Sequence, residues 1–318
     1  ETLIRWFLEG LPVDKLTVFE WMLREGRPLI NSPALTGFDP YSYFGCQDLY
    51  GGCFVPLDLG PIPRFKHGIL REDDRYEDRM TSTGAVVRRS KRARYVSYTM
   101  LMFVEFPVKD RGSWREYKKR LNPEDPSRYP KDWDKDAYIK AFENHQASPT
   151  TLTITGFYGF GAQLMGIPSF VATFYKDPEL MHDMAEHWEY FTTETIRDAV
   201  RTLKDRIDYV FWWEDLAERH GPNISPKIYR EFFLPRYKRV TGFLRRNKID
   251  RIMMDSDGNT APLLDLVIEA GITGHWPLEV NSGMDAVSLG KRYGRRLFLV
   301  GNPVSYTHLR AHETGRNL

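Results

Sequence analysis

Short apolar segments in the second half of the chain alternate with longer stretches in which apolar residues recur at helical spacing. After the segment that ends at Asp255, for example, apolar residues recur on one face of a helix that begins near Pro262. This alternation of strand and helix predicts an α/β fold with a parallel sheet. The predicted strands are Thr151 to Thr155, Asp208 to Trp213, Arg251 to Asp255, Gly274 to Leu278 and Leu297 to Val300.

Two helix starts carry capping signals, and a glycine-rich segment precedes another helix. Asp177-Pro178-Glu179 predicts a helix to about Leu203, since it combines a side-chain cap, a proline at the first helical position and an acid near the positive end of the dipole. Ser225-Pro226 repeats the device, and Pro235 predicts a kink in the helix that follows. Gly156 to Gly161 has GxxGxG spacing, which differs from a dinucleotide fingerprint. It predicts either a bend that presents backbone amides to an anion or a tight turn.

Residues 62 to 104 predict an insertion of β structure. Arg75 to Thr81 and Ala85 to Arg89 flank Ser82-Thr83-Gly84, a pattern typical of a hairpin with a three-residue loop. Tyr95 to Val104 continues in β-rich composition. The basic run from Arg88 to Arg94 either meets substrate carboxylates or forms a solvated face.

Carboxylates stand at three successive strand ends. Because the carboxyl ends of parallel strands share one edge of a sheet, where α/β proteins place their active sites, these side chains are expected to converge on one pocket. Grouped acids raise one another's pKa and can create a general acid near neutral pH. Asp257 is expected to be the principal acid or ligand, supported by Asp255, because Gly258 permits a sharp turn there. The candidate catalytic residues are Asp257, Asp255, Glu214, Asp215 and Glu279, and the nearby candidates for substrate binding are His275, Asn259, Gly156 and Tyr158.

Composition narrows the possible partners. The 45 Lys and Arg residues nearly balance the 43 Asp and Glu residues, so no overall field favours nucleic acid or anionic lipid. No apolar run reaches the ~18 residues that span a bilayer. Cys46 and Cys53 fit neither a zinc knuckle nor a secreted disulfide framework, and the cytoplasm is the expected setting. The aromatic content of 14% is explained either by core filling or by a pocket for a bulky or flat ligand.

Several segments of the chain carry a family resemblance. They are Asp208 to Asp215, Ile224 to Pro226, Tyr229, Glu231 and Phe232, Leu234 and Pro235, Asp255 to Gly258, Pro277 to Glu279, Gly283 to Asp285 and Leu299 to Asn302. Together they resemble the uroporphyrinogen decarboxylase superfamily, which contains the haem-pathway decarboxylase and corrinoid-linked methyltransferases. The resemblance implies a (β/α)8 TIM barrel, here incomplete at both ends, in which residues 1–303 form a single domain with the hairpin insertion.

The two branches of the superfamily imply different site chemistry. Methyltransferases of this type carry His-x-Cys-Gly where this chain has Asp255-Ser256-Asp257-Gly258, so carboxylates replace two zinc ligands. If a metal binds at Asp255 and Asp257, oxygen ligands imply a harder ion such as magnesium or manganese. The decarboxylase uses an aspartate after its second strand, for which Asp48 is a possible counterpart. Its Gly-Asn after the seventh strand resembles Gly301-Asn302, which adds Asn302 to the substrate-binding candidates.

Three functions remain open at this point. The main hypothesis is decarboxylation of a carboxylated tetrapyrrole-like or related small molecule by carboxylate acid–base chemistry, without a cofactor. The alternatives are a corrinoid-linked methyltransferase, which would need a corrinoid protein as partner or a divalent metal, and a non-catalytic binding barrel. The strand-end carboxylates favour an enzyme, and the full-length protein could form a homodimer.

Both ends of the chain depart from the pattern of related barrels. Val304 to Leu318 resembles translated sequencing adapter and is expected to be a non-native tail, disordered or docked arbitrarily. Related barrels have strands beyond both ends, so the ring is expected to be open, with unpaired strand edges. The chain is therefore expected to aggregate or remain partly unfolded, and to lack activity.

Overall fold

The computed structural model describes residues 54–91, 102–131, 133, 136–137, 139–140 and 149–302. Its first sheet is antiparallel and has the strand order β1-β2-β3-β4. The predicted hairpin is confirmed, since the Thr81 N–H donates to the Ala85 carbonyl at 2.8 Å across the loop. The strands are β1 (Gly68–Glu72), β2 (Tyr76–Met80), β3 (Val86–Ser90) and β4 (Met102–Glu105).

An ion-pair network joins three strands of this sheet, with Arg71 on β1, Asp78 on β2 and Arg88 on β3. Asp78 on β2 is 2% exposed, and its carboxylate accepts hydrogen bonds from Arg71 at 2.5 Å and from Arg88 at 2.7 and 2.9 Å. The two guanidinium groups hold the pKa of Asp78 well below its usual range. Arg88, the first residue of the basic run, is therefore paired within the sheet. The part of the run from Arg92 to Arg94 lies outside the described residues.

The second sheet has five strands, and all its neighbouring strands are parallel. Its order, β11-β10-β9-β6-β5, follows the chain, so each later strand adds to the same growing edge. The five segments that the sequence predicts as strands are confirmed to within a residue or two at each end. They are β5 (Thr151–Thr155), β6 (Tyr209–Trp213), β9 (Ile252–Asp255), β10 (Gly274–Leu278) and β11 (Phe298–Gly301). A small antiparallel ribbon after β6 comprises β7 (Ala217–Glu218) and β8 (Gly221–Pro222).

The two faces of the parallel sheet differ because successive side chains on a strand point to opposite sides. Trp212 and Met254 are fully buried beneath the helices, and the Trp212 ring lies 5.7 Å from Trp188 and 4.8 Å from Tyr237. Trp213 and Asp255, which pair across β6 and β9, are only partly buried. One face therefore forms the core with the helices, and the other remains partly open.

Helices connect the parallel strands and cover the core face. The long helix α4 begins as predicted, with the Asp177 carboxylate accepting from the Leu180 N–H at 3.1 Å. The helices are α1 (Arg111–Lys118), α2 (Phe157–Met165), α3 (Ile167–Lys176), α4 (Pro178–Leu203), α5 (Pro226–Ile228), α6 (Leu234–Arg246), α7 (Leu264–Glu269) and α8 (Ala286–Tyr293). Single 3₁₀ turns lie at Pro126–Arg128, Lys204–Arg206, Ala261–Leu263, Val280–Ser282 and Gly294–Arg296.

The irregularity that Pro235 predicts takes the form of a π-helical turn. Ser225 caps α5 through a 3.2 Å bond from the Ile228 N–H, and a π turn at Tyr229–Phe233 joins α5 to α6. Pro235 stands in the first turn of α6, and the Glu231 carbonyl, four residues earlier, accepts from Arg236 Nη1 at 2.9 Å instead of from the missing N–H. A wider turn just before a proline is one of the usual ways in which a helix accommodates its ring.

The parallel sheet is not closed into a ring within the described residues, and beyond β5 a single bridge from Phe54 to Thr151 continues it. The open sheet agrees with the expectation of an incomplete ring, and the (β/α)8 barrel itself stays a prediction. One expectation from the sequence is corrected here. The segment from Gly156 is not a bend, because Gly156 caps α2 and the helix begins at Phe157. Cys46, Asp48 and Cys53 lie outside the described residues. None of the helices in the described ranges is long and apolar enough to cross a membrane.

Candidate active site at the carboxyl edge of the parallel sheet

The turn after β9 places two aspartates at the carboxyl edge of the sheet. Asp255 ends β9 on the partly open face, and its strand neighbours there are Trp213 and Trp276. Gly258 follows at φ +76°, and a Cβ at this position would lie 2.5 Å from the Ala217 carbonyl oxygen. The turn therefore requires glycine. Asp257, one residue earlier, is exposed.

Glu279, at the end of β10, supports the same turn from the next strand. Its carboxylate accepts the Gly258 N–H at 2.9 Å and the Ser282 hydroxyl at 3.0 Å. Buried Ser256 adds a second tie, because its Oγ accepts the Leu216 N–H at 2.9 Å. The ends of β6, β9 and β10 are thus joined through side-chain oxygens.

Asp215, just after β6, adopts a backbone conformation that is uncommon for residues other than glycine. Its φ is +87°, a left-handed value that non-glycine residues keep only where their surroundings impose it. The Asp257 N–H lies close enough to the Asp215 carboxylate to oppose the rise of its pKa. The loop after β6 therefore lies against the loop after β9.

These aspartates raise one another's pKa. Burial, followed by the negative charges of Asp257 and Asp215, raises the pKa of Asp255 to about 7. Burial and the charges of Glu218 and Glu279 raise the pKa of Asp215, against the effect of the Asp257 N–H. Burial and the charges of Asp215, Glu279 and Glu218 raise the pKa of Asp257. We refer to Asp215, Glu218, Asp255, Asp257 and Glu279 as the acidic site.

Glu214 lies apart from the acidic site, on the opposite face of the sheet. Its side chain is fully buried, and its carboxylate accepts bonds from the Tyr237 hydroxyl, from Trp212 Nε1 at 3.2 Å and from the Gly159 N–H at 3.1 Å. Burial raises the pKa of Glu214 to about 7, while these donors oppose the rise. The structure thus brings together four of the five candidate acids and separates Glu214 from them.

The glycine segment receives an anion, as one reading of the sequence anticipated, but the anion belongs to the protein. The Glu214 carboxylate occupies the N-terminus of α2, where unpaired N–H groups and the helix dipole favour negative charge. A Cβ on Gly156 would lie 2.1 Å from Glu214 Oε1. Gly156 therefore makes room for Glu214, and the first turn of α2 is already occupied.

Of the other candidates for substrate binding, His275, Asn259 and Asn302 make hydrogen bonds within the fold, whereas the buried Tyr158 hydroxyl has no hydrogen-bond partner among the described residues. Buried Tyr158 lies near enough to Glu218, Glu214 and Asp215 for their charges to raise its pKa, after the larger effect of burial. His275 is fully buried, and its Nε2 lies 2.6 Å from the Thr260 hydroxyl. Asn259 accepts the Ala261 N–H at 3.2 Å. Asn302 accepts the Ala286 N–H at 3.2 Å and donates to the Met284 carbonyl, which fixes the loop before α8.

The carboxylates at the sheet edge bear on the metal site that the sequence left open at Asp255 and Asp257. Carboxylates are ligands for magnesium or manganese. Within the described ranges, however, no group of three or more His, Cys, Asp or Glu side chains is arranged to hold a metal ion. Asp255 and Asp257 therefore do not complete a metal centre with their described neighbours.

Aromatic rings border the acidic site on the partly open face. The rings of Phe211 and Trp276 lie 6.1 Å apart at an interplanar angle of 56°, and Trp213 stands beside Asp255 in the register of the sheet. A ligand at this edge would meet carboxylates on one side and aromatic surface on the other. Such a setting suits a flat or cationic group, since an aromatic face attracts positive charge.

Sequence reasoning missed the residues that support the site. Ser256, Glu218 and Tyr237 act through contacts between residues distant in the chain, which strand-end patterns do not reveal. Of these three residues, only Ser256 could have been identified from the sequence. A small polar residue between two strand-end aspartates indicates a side chain that points back into the fold.

The comparisons with known proteins give a distant structural likeness. No protein-family model matches the chain, and no curated protein matches it. Among solved structures, a methyltransferase from Methanosarcina mazei is similar to it, with 15% sequence identity over 93% of this chain and 80% of that chain and a TM-score of 0.47. A likeness of this extent does not define the chemistry of the acidic site, which depends on the residues themselves.

Proposed function

We propose that the chain is an enzyme in which the Asp255 carboxyl acts as general acid and base at the carboxyl edge of the parallel sheet. The observation that carries the proposal is the position of Asp255, which is partly buried, beside two other aspartates and between Trp213 and Trp276 in the register. A carboxyl whose pKa is about 7 is protonated in a large fraction of molecules at neutral pH. It can then give a proton to a reacting group and recover it.

The negative charge of the acidic site restricts the charge that a substrate can carry. The neighbours whose charges raise the pKa of Asp215, Asp255 and Asp257 are all acids. A substrate carboxylate 4 Å from one of them would be repelled by about 1 kcal/mol even at the dielectric constant of water, and by more at a partly buried edge. A neutral or cationic substrate is therefore favoured over one that carries several carboxylates.

This argument favours methyl transfer over decarboxylation of a polycarboxylated tetrapyrrole. In methyl transfer from a neutral ether, the bond between the methyl group and the oxygen breaks, the electron pair stays on the oxygen, and Asp255 supplies the proton that neutralises it. A corrinoid carried by a partner protein would accept the methyl group. Asp257 and Asp215 would keep Asp255 protonated before the reaction by disfavouring a further negative charge.

The order of the parallel strands supports the wider frame of the proposal. Each strand adds to the same edge, with the helices on one face, as in an arc of a (β/α)8 barrel. In a doubly wound sheet the order would reverse and helices would cover both faces. We propose that the described sheet is such an arc and that its partly open face would point into the barrel.

One assay separates the candidate functions. The chain is incubated with cob(I)alamin and a methoxyarene, and formation of methylcobalamin is followed by absorbance; a pyrrole carboxylic acid is tested in parallel for carbon dioxide release. A folded wild-type chain should methylate the cobalamin, which would contradict the inactivity expected from the open ring, and the rate should fall at least ~10²-fold in Asp255→Asn, as for the loss of a general acid. The exposed Asp74→Asn is the control and should retain the wild-type rate.

The other results have defined meanings. Carbon dioxide release without methyl transfer would support the decarboxylase and refute the charge argument. A full rate in Asp255→Asn would refute the assigned role of that carboxyl. Tight binding of a probe with no turnover would support the non-catalytic binding protein.

A further inference from the structure

The fully buried carboxyl of Glu214 is the strongest polar feature that the proposed reaction does not use. Every group that bonds to it is a donor: the Tyr237 hydroxyl, Trp212 Nε1 and the Gly159 N–H. The Tyr237 hydroxyl also accepts the Phe157 N–H at 2.8 Å. Glu214 and Tyr237 thus bind the end of β6 to the first turn of α2.

Backbone bonds continue from this network to the acidic site. The Gly156 N–H donates to the Trp213 carbonyl at 2.7 Å, and the Glu214 N–H donates to the Asp255 carbonyl at 2.8 Å. Glu214 therefore holds α2 with its side chain and the end of β9 with its backbone. The same residue connects the core face of the sheet to the strand that carries Asp255.

The residue that follows Glu214 shows why this connection matters. Asp215 has a φ of +87°, a conformation that is strained for a non-glycine residue. It is kept between the anchored Glu214 and Leu216, whose N–H is bound by Ser256. With Glu214 released, Asp215 would relax toward ordinary backbone angles and its carboxylate would leave the Asp257 N–H.

We infer that Glu214 is a positioning residue for the acidic site: its bonds to Tyr237 and to the start of α2 hold Asp215 and Asp257 beside Asp255. The inference rests on the proposed function only in taking Asp255 as the reacting group. The Glu214 carboxylate is then the anion bound at the N-terminus of α2, and it fixes the spacing of the carboxylates on the opposite face of the sheet.

The test measures the titration of Asp255 in the full chain. Aspartate carboxyl carbons are labelled with carbon-13, their chemical shifts are followed against pH, and the Asp255 signal is assigned from its loss in Asp255→Asn. The variants are Glu214→Gln, which places an amide N–H among donors, and Tyr237→Phe, which removes one donor. Tyr229→Phe is the matched control, because the Tyr229 hydroxyl is buried in the same region without a hydrogen-bond partner.

Positioning and mere stabilisation give different results. If Glu214 positions the site, the pKa of Asp255 falls by about one unit or more in Glu214→Gln and in Tyr237→Phe, because Asp215 and Asp257 move away. It stays unchanged in Tyr229→Phe. A lower melting temperature with an unchanged Asp255 titration in the first two variants would overturn the inference. Should Glu214→Gln fail to fold, Tyr237→Phe alone decides.

The result is also separate from the proposed catalysis. A shifted Asp255 titration in Glu214→Gln, together with full turnover by Asp255→Asn, would keep the positioning role and reject the catalytic one. An unshifted titration with loss of turnover in Asp255→Asn would do the reverse.

Discussion

Replacement of Asp255 by asparagine is expected to stabilise the protein, and more at pH 8 than at pH 4.5. Burial, and then the charges of Asp257 and Asp215, raises the pKa of Asp255 to about 7, whereas an unfolded chain titrates an aspartate near pH ~3.9. Between about pH 4 and pH 7 the folded state holds a proton that the unfolded state has released, so stability falls as pH rises through this window. Asparagine has nearly the same shape and no charge, and it removes this cost.

The size of the shift sets an upper limit on the effect. A difference of about 3 pH units corresponds to about 4 kcal/mol, since each unit contributes ~1.4 kcal/mol. Asp255 is only partly buried at a solvent-facing edge, so solvent screening reduces the value. We expect a gain of about 1 to 2 kcal/mol at pH 8 and less than about 0.5 kcal/mol at pH 4.5.

The assay is urea denaturation of the wild-type chain and of Asp255→Asn at both pH values. The exposed Asp74→Asn serves as a control, and its difference from wild type should be small at both. The reasoning is refuted if the difference between Asp255→Asn and wild type is the same at pH 4.5 and pH 8, or if the variant is less stable at pH 8. A gain in stability together with a loss of turnover would show that the site retains this carboxyl for function.

Two further predictions concern packing and buried donors. Gly156→Ala should lower stability by about 1 to 3 kcal/mol in urea denaturation, because its Cβ would lie 2.1 Å from Glu214 Oε1 and 2.4 Å from Trp212 Nε1. Gly290→Ala in α8 is the control: its Cβ meets open space, so this variant should gain about 0.5 to 1 kcal/mol. Equal stability of the two variants would contradict the reasoning. Arg128→Met should lower stability by roughly 2 to 4 kcal/mol. The Arg128 side chain is 1% exposed and donates to the backbone carbonyls of Asp58, Gly60, Arg120 and Asn122, so a melting temperature near that of wild type would refute the prediction.

The strands and the long helix could be predicted because their signals are local. A buried strand needs only a short apolar run between polar residues, and Asp177-Pro178-Glu179 contains its own cap, so neither depends on distant parts of the chain. The hairpin around Gly84 was accessible for the same reason. The open sheet was expected only because related barrels have strands beyond both ends of this chain, and no local pattern predicts it.

The assignment of side chains to faces could not be obtained in the same way. Glu214 and Asp215 are adjacent in sequence, and the strand-end pattern grouped both with Asp255. The pleat of β6 sends Trp213 to the partly open face and Glu214 to the core, where only the distant Tyr237 and Gly159 make its burial tolerable. A count of alternating positions from Trp212 would have given the direction of Glu214, but not the donors that receive it.

The order of importance of Asp255 and Asp257 also depended on tertiary structure. The sharp turn that Gly258 permits indicated Asp257 as the principal acid, and the role of Asp257 stays a prediction. The structure leaves Asp257 exposed and places Asp255 between neighbouring strands, which is why the proposed function assigns the proton donor to Asp255. Burial of this kind depends on which strands are adjacent, and composition does not give it.

The division of the parallel sheet into a packed face and a partly open face has a consequence for how such a protein can change. Substitutions at Trp212 or Met254 would alter the volume of the core and destabilise the fold, so selection would remove them. Substitutions at Phe211 or Met253 alter the surface that a ligand would meet and leave the helix packing intact. Selection, or a directed library, could therefore explore new substrates at alternate positions of the same strands while the scaffold stays constant.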